Sequence, residues 1–489
     1  MKTYIGIDVG TSALKLLLVR ADGKILASRS ETYPVLYPQN GWSEQNPADW
    51  LAALKRGMPE LLKGQDARSV GGLSFGGQMH GLVVLDKDDN VIRPCILWND
   101  GRTEEQTEYL NTTVGKDVLS RRTANIAFAG FTAPKLLWLK EHEPDNFAKI
   151  KRVCLPKDYL VYMLTGTHST DYSDASGTLL LDVRHKRWSS EMLDLCGIDI
   201  SQLPRLYESY EPVGPLKPEY VKLWGLCENT AVAAGAGDNA ASAIGTGAAE
   251  HGDTTISLGT SGTVFIAQDT FGVDSKNALH SFCHANGKYH LMGCILSAAA
   301  CNSWWMNILN STDFIGEQAE TEELLGKNSV YFLPYLTGER SPHNDVNARG
   351  AFIGMSPMTT RKAMTLAVLE GVAFALRDCV EVAKSNGIDI RKTRVCGGGA
   401  KSELWCKILA NVLGVSIERL AVEHGASYGA AILAMVADGA YKDVSNAVTA
   451  LVHTNGTINP SPDLTRAYQL KYAAFRAIYP ALKDVYKIL

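Results

Sequence analysis

The sequence predicts an α/β protein of two related lobes. Three observations carry this. The tripeptide Gly-Thr-Ser occurs twice, as Gly10-Thr11-Ser12 and Gly259-Thr260-Ser261, each time between two apolar runs that read as strands. The chain has 489 residues, too many for one ordinary core. Short apolar strands and helical stretches are mixed along its length.

Taken in order, Met1–Ala27 reads as two or three strands in a meander. Pro47–Lys63 reads as a helix, and Val70–Gly76 and Leu82–Asp86 as strands. Residues 131–230 are richer in helix, including Ala133–Glu143 and Lys157–Thr165, before a strand at Ala231–Ala234. Gly245–Gly252, rich in Gly, Ala and Thr, suits a hinge. A second meander opens at about Asp253, followed by helices at Leu296–Leu309 and Thr360–Lys384. A strand at Thr393–Cys396 runs into three glycines and a helix from Ser402. Ser427–Ala437 is a helix of small residues that can pack closely, and Asp463–Val485 is a last helix expected to pack back across the lobes.

Composition narrows the function. Hydrophobic content of 46% and charged content of 20% are ordinary for a globular protein, and a net charge of −4 implies no basic face for nucleic acid. Asp8 and Lys15 interrupt the first apolar stretch, and no long apolar run follows, so neither a signal peptide nor a membrane span is expected. The ten cysteines are scattered without metal-type spacing, as in a cytoplasmic protein.

Four constellations carry chemistry. A strand–turn–strand with Gly, Thr and Ser presents N–H groups and hydroxyls to an anion. Only the first copy carries a carboxylate, Asp8, where the second has Ser257. Asp8 beside Gly10, Thr11 and Ser12 is the carboxylate that a magnesium–nucleotide site requires. Lys15 either adds positive charge there or is a solvated residue on an edge strand. In Gly235-Ala236-Gly237-Asp238-Asn239-Ala240 the spacing matches a dinucleotide fingerprint, but Asp238 would repel the pyrophosphate. Asp238 reads instead as a helix cap, or as an ionised base accepting a proton from a substrate hydroxyl. Asn239 offers a donor and acceptors to a polyol.

Gly76-Gly77-Gln78-Met79-His80-Gly81 has the look of a small-ligand loop, although a lone His is more often structural. Trp98-Asn99-Asp100-Gly101-Arg102 is either a wall of a sugar pocket or an aromatic near a surface ion pair. The glycines of Gly397-Gly398-Gly399-Ala400-Lys401-Ser402 let a ligand approach the backbone, while no P-loop is present.

These residues in this order resemble the FGGY family of carbohydrate kinases over essentially the whole chain. Gly130-Phe131-Thr132-Ala133-Pro134-Lys135 through His142 is similar to one family signature, and Gly350-Ala351-Phe352-Ile353-Gly354 through Leu369-Glu370-Gly371 to the other. Gly-Gln-Met-His-Gly, Leu-Trp-Asn-Asp-Gly-Arg and Leu-Thr-Gly-Glu-Arg-Ser-Pro-His resemble the members that act on D-xylulose; glycerol kinases would carry Arg-Glu in place of Met79-His80. The resemblance implies two ribonuclease-H-like lobes of the actin/hexokinase/Hsp70-like ATPase fold with a cleft between them. It implies an N-terminal lobe at 1–245, a C-terminal nucleotide lobe at 253–440 and a helical segment at 441–489 packing back on the lobes. It implies ATP- and Mg²⁺-dependent phosphorylation of D-xylulose to D-xylulose 5-phosphate, or of another ketose or polyol such as ribulose, a tetritol or glycerol.

By the same resemblance, Asp238 and Asp8 are catalytic, and Asp8 holds the metal. Met79, His80, Asp238, Asn239, Trp98 and Asp100 bind the sugar. Gly10, Thr11, Ser12, Lys15, Gly259, Thr260, Gly398, Gly399 and Ser402 face the nucleotide. The partners are then a sugar and ATP, with no nucleic acid or membrane, and a homodimer left open. Tyr428, in Glu423-His424-Gly425-Ala426-Ser427-Tyr428, stands where the family has a small or apolar residue and raises the question of packing behind the nucleotide. A non-catalytic ATP-driven clamp of the same fold would need no carboxylate base in its cleft, and Asp238 and the Met79-His80 loop argue against one.

Overall fold

The computed structural model of the chain describes residues 1–319, 321–390, 392–421 and 425–489. Two seven-stranded sheets organise it. The first runs Pro212–Pro215, Ala231–Ala233, Val70–Gly77, Thr3–Val9, Ala13–Arg20, Ile25–Thr32, with Ala236–Gly237 also pairing to Val70–Gly77. The second runs His280–Cys283, Tyr289–Ile295, Gly262–Gln268, Asp253–Leu258, Lys392–Cys396, Ile417–Leu420, Thr454–Ile458. In each, the first strand is central. It pairs antiparallel with the strand after its Gly-Thr-Ser turn and parallel with a strand from later in the chain. This is the ribonuclease-H-like order, once per lobe. Asp8 lies opposite Lys15 and Gly76; Ser257 lies opposite Thr263 and Cys396. The two tripeptides are therefore equivalent in register as well as in sequence.

The central strands are buried on both faces, which explains their near-continuous apolar runs. Helices cover them. Pro47–Leu62 starts behind the cap Asn46 and packs on the first sheet. Arg361–Ser385 starts behind Thr360 and runs through the core of the second lobe. The last helix, Pro462–Tyr486, lies on the second lobe alone, burying Tyr468, Tyr472, Phe475 and Tyr479 in that core; it does not cross the lobes. The 441–489 segment is also not wholly helical, since Thr454–Ile458 forms the edge strand of the second sheet. No helix among the described residues is long and apolar enough to cross a membrane.

The lobes meet through two helices of small residues. Asp238–Thr246 ends the first lobe, and Gly425–Ala437 comes from the second half of the chain but packs on the first sheet. A Cβ on Gly6 would lie 1.8 Å from the carbonyl oxygen of Ser427, and one on Gly429 equally close to that of Ala241. A Cβ on Gly245 would lie 2.4 Å from the carbonyl oxygen of Gly425. Only glycine permits this approach. Tyr428 fits at the edge of the same contact. Its ring is buried, and its hydroxyl donates towards the carbonyls of Gly23 and Leu451 at 3.3 and 3.2 Å. It packs between the lobes and not behind the nucleotide region. Glu423 and His424 lie outside the described residues.

Gly429→Ala should therefore destabilise the protein by about 1–3 kcal/mol through overpacking. Gly272, whose Cβ would meet nothing within 4 Å, serves as the control, with Gly272→Ala within about 0.5 kcal/mol of the parent. Urea unfolding midpoints read both.

Candidate active site

The loop after strand Val70–Gly77 builds one wall of the cleft. Met79 is 4% exposed and leans on Gly237, where a Cβ would lie 3.0 Å from its Cγ and Sδ. His80 has a left-handed backbone, φ 69°, uncommon for a residue with a side chain. Three contacts hold it there. Its carbonyl accepts from the Lys135 ammonium at 2.9 Å and the Thr132 hydroxyl at 3.1 Å, and its ring stacks on Phe131 with centroids 4.5 Å apart. Its Nδ1 lies 2.7 Å from the carbonyl oxygen of Gly177, which can only accept. Nδ1 therefore carries the proton and Nε2 is left as an acceptor. Burial, with the Lys135 charge beside it, holds His80 well below the usual histidine range, so the ring is neutral. Lys135 itself is buried against carbonyls and is pulled down to about 7 by desolvation. It sits in the first signature stretch, and nothing in its spacing revealed that it pins His80.

Asp238 opens the helix Asp238–Thr246 as its first residue, with Gly237 as the cap. Its carboxylate accepts from its neighbour's backbone N–H at 2.6 Å and side-chain amide at 2.9 Å, both from Asn239. The side chain is half-buried at the cleft. Burial, then the charge of Asp8, push it up to about 7. Desolvation and a second carboxylate thus outweigh the helix end, which alone would favour the ionised form. Asp8 is itself pushed up to about 6 by burial, against the pull of Lys15. Lys15 is not on an edge strand, because Ala13–Arg20 is paired on both sides.

A small cavity of about 170 Å³ gathers Met79, His80, Trp98, Asp238 and Asn239 from the first lobe. Its far wall comes from the second lobe and includes Ser261, Thr263, His280, Phe282 and Arg340. Sequence reasoning missed that wall. Ser261 closes the second Gly-Thr-Ser tripeptide and Arg340 lies in the Leu-Thr-Gly-Glu-Arg-Ser-Pro-His stretch, but neither carries a local signal of facing a cavity.

Asp100 is corrected as a sugar ligand. Its carboxylate is buried and accepts from Ser43 N, Arg102 N and two Arg102 guanidinium nitrogens at 2.5–3.0 Å. That buried ion pair shapes the loop and leaves Trp98 to face the cavity. The Trp98 indole donates to the Thr11 hydroxyl at 3.0 Å, and that hydroxyl donates to Gln78 Oε1 at 3.1 Å. Gln78 in turn donates to Gln45, whose amide holds the Thr11 carbonyl. The first Gly-Thr-Ser turn is thus wired to Gln78 of the Met79-His80 loop. Its Thr11 hydroxyl is already engaged, while the Ser12 side chain is exposed.

The second turn lies between two cavities. Ser261 lines the small one. On its other side the three glycines press against it: a Cβ on Gly397 would lie 2.9 Å from Leu258 backbone and 3.1 Å from Gly259 N. Gly398, Gly399 and Ser402 then line an apolar cavity of about 500 Å³ with Phe314, Ile315 and Trp405. The Gly259 and Thr260 carbonyls accept from the first N–H groups of the helix Ala299–Ile308, which fixes the turn. Ser402 is engaged too, capping its helix at Trp405 N and donating to Gln318. Among the described residues no group of three or more His, Cys, Asp or Glu could hold a metal ion.

Two ribonuclease-H-like lobes with matched turns facing a common cleft define the actin- and hexokinase-like class. Family models for the N-terminal and C-terminal domains of the FGGY family of carbohydrate kinases match residues 3–245 and 254–437, and the chain belongs to that family. It is 40% identical to the xylulose kinase of Escherichia coli (strain K12) over 486 residues, 98% of this chain and 99% of that one. The structure of ligand-bound xylulose kinase from Lactobacillus acidophilus matches with a TM-score of 0.95 at 29% identity, covering 100% of this chain and 99% of that one. Gluconate kinase from the same species matches with a TM-score of 0.95 at 28% identity, covering 99% of each chain.

The raised carboxyls make a stability prediction. A carboxyl whose folded pKa lies above its unfolded value contributes stability that is full at acid pH and lost as pH rises through the folded value. For Asp238 the loss runs from the ordinary carboxylate range up to about 7. Asp238→Asn should be more stable than the parent at pH 8, by about 0.5–2 kcal/mol, with the gain shrinking towards pH 4. Urea midpoints at both pH values check it.

Proposed function

We propose that the protein phosphorylates the terminal hydroxyl of D-xylulose with ATP, giving D-xylulose 5-phosphate. The reading is carried by one observation. The small polar cavity, the second Gly-Thr-Ser turn and the apolar glycine-lined cavity stand in a row, with Asp238 and Asp8 in the same cleft. The full-length likeness to xylulose kinases supports the choice of sugar.

The sugar would occupy the small cavity, where Met79 and Trp98 offer apolar walls and Asn239 and the His80 Nε2 offer hydrogen bonds. The nucleotide base would take the apolar cavity beside Gly398 and Gly399, with the phosphates along the two turns. Asp238 would accept the hydroxyl proton as the oxygen attacks the terminal phosphoryl group. A value near 7 suits a base that must both take up and release a proton at neutral pH. Its transition state is loose, so positioning and charge matter more than base strength.

The residues fit a magnesium ion. Asp8 is a hard oxygen donor raised by burial, with no side chain hydrogen-bonded to it among the described residues, and a second carboxylate shares its cleft. Asp8 would hold the ion, directly or through water, and the ion supplies neutralisation of phosphate charge. Lys15, opposite Asp8 on the neighbouring strand, adds to the positive field.

We also propose lobes at 1–245 and 253–440, supported by the separate sheets, with Thr454–Ile458 completing the second sheet and Gly425–Ala437 lent to the first lobe, and a cytoplasmic setting, supported by scattered, mostly buried cysteines.

A coupled ADP-release assay over ketopentoses, ketohexoses, polyols and aldonates tests the substrate. D-xylulose should give the highest kcat/KM; a higher value for any other acceptor overturns the assignment. Asp238→Asn should lower kcat by about 10²–10⁴-fold while nucleotide binding persists. His80→Ala should weaken xylulose binding by about 1–3 kcal/mol, the cost of leaving a buried polar group of the ligand unpaired, read by calorimetric titration.

A further inference from the structure

We infer that Asp171 is a positioning residue for Asp238, acting through two serines that hold the turn in front of it. The inference rests on the reading of Asp238 as the base.

Behind the sugar cavity lies a cluster with no place in the reaction so far. Lys157 sits 2.6 Å from Asp158, 2.9 Å from Asp171 and 3.5 Å from Asp174, and all four side chains are fully buried. Burial opposes the Lys157 charge, but the three carboxylates together outweigh it and keep it protonated. Burial also holds Asp158 and Asp174 above the ordinary carboxylate range. Clusters of this kind are costly to bury and give weak grounds for expecting stability. Their geometry is the better guide.

One oxygen of Asp171 faces Lys157. The other accepts three bonds: from Ser173 N at 2.8 Å, from the Ser173 hydroxyl at 2.5 Å and from the Ser209 hydroxyl at 2.7 Å. The Ser173 hydroxyl spends its proton on Asp171, so its lone pair is free to accept, and it takes the N–H of Gly237 at 3.1 Å. The Ser209 carbonyl accepts the N–H of Gly235 at 3.0 Å. Both glycines of the Gly235-Ala236-Gly237 turn are thereby tied, through one serine each, to a single carboxylate. Asp238 is the next residue.

The turn pairs on one side with Gly76–Gly77, and the two serines tie its other side. Gly235 has φ +80° and sits 2.5 Å (as a Cβ) from the Phe75 carbonyl oxygen, so it carries no side chain. Among the described residues the side-chain hydrogen bonds of Asp238 run only to Asn239, its own neighbour. Its aim is therefore inherited from the backbone before it. A misplacement of about 1 Å at a reacting group can cost about a hundredfold in rate. The same short segment also presents the Gly177 carbonyl to His80, and its Ser176 hydroxyl accepts from Cys283 N at 2.9 Å across the cleft. Asp171 thus anchors a segment that touches the turn before Asp238, the His80 ring and the second lobe.

Ser173→Ala tests this in the full-length enzyme. It removes one hydroxyl and alters no group lining either cavity. The expected result is a kcat about ten- to a hundredfold lower, KM for xylulose and ATP within about threefold, and most of the loss recovered in Ser173→Thr, which keeps the hydroxyl. A wild-type kcat in Ser173→Ala overturns the proposal. The deciding measurement is the cycle with Asp238→Asn. If Ser173 acts through Asp238, adding Ser173→Ala to Asp238→Asn costs nothing further; an equal loss in both backgrounds overturns the proposal. Asp238→Asn alone separates the two readings: full activity there removes the base assignment, whatever Ser173→Ala does. Should Ser173→Ala not fold, Ser209→Ala removes the hydroxyl that joins Ser209 to Asp171, leaves its carbonyl on Gly235, and is read against the same outcomes.

Discussion

The close approach between the helices Asp238–Thr246 and Gly425–Ala437 is the constraint on which the rest depends. Backbone meets backbone at Gly429 and Ala241, at Gly245 and Gly425, and at Gly6 and Ser427. Every larger side chain would push the lobes apart. The first of these helices begins with Asp238, and the first sheet against which the second packs carries Asp8 on its central strand. The separation of the two carboxylates is therefore set by glycine contacts several residues away. So is the width of the cleft that faces Ser261 and Arg340.

The cleft concentrates groups that a fold would not choose for stability. Asp8 and Asp238 are held above the ordinary carboxylate range, Lys135 below the lysine range, and His80 in a left-handed backbone. Each is supported by buried neighbours that take no part in the chemistry: Thr132 and Gly177 for His80, Ser173 and Ser209 for the turn before Asp238, Gln45 and Gln78 for the first phosphate-type turn. This is the pattern of strain at a working site offset by the surrounding structure. It also separates roles that look alike in sequence. Trp98 and Asp100 are two residues apart, yet one faces the cavity and the other is consumed by Arg102.

Much of the fold was legible because it rests on short-range signals. The strand–turn–strand around Gly10 and Gly259, the helices that open near Pro47, Thr360 and Ser402, and the small-residue helix near Ser427 all follow from local chemistry. Met79, His80, Asp238 and Asn239 stood out for the same reason, since they sit at strand ends beside glycines, and the structure gathers them at one cavity. The second-lobe wall was not legible. His280 and Phe282 lie in an ordinary-looking strand, and Thr263 and Arg340 carry no local signal of facing a cavity. Nor was the placement of the last helix, whose apolar face could have served either lobe until the core of the second claimed it.

The sequence by itself determined that there are two matched hairpins, that only one bears a carboxylate, and that glycine turns carry polar side chains at strand ends. Those are properties of neighbouring residues, and local propensity and periodicity write them directly into the chain. The tertiary structure alone decided which charges face one another. It buried Asp8 and put its charge near Asp238, so that Asp238 is costlier to ionise, and it turned Asp100 inward to Arg102. It joined Lys157 to three aspartates from separate elements and led one of them back to the turn before Asp238. Ionisation and aim depend on burial and on partners distant in sequence, and these exist only once the lobes have closed on their shared helices.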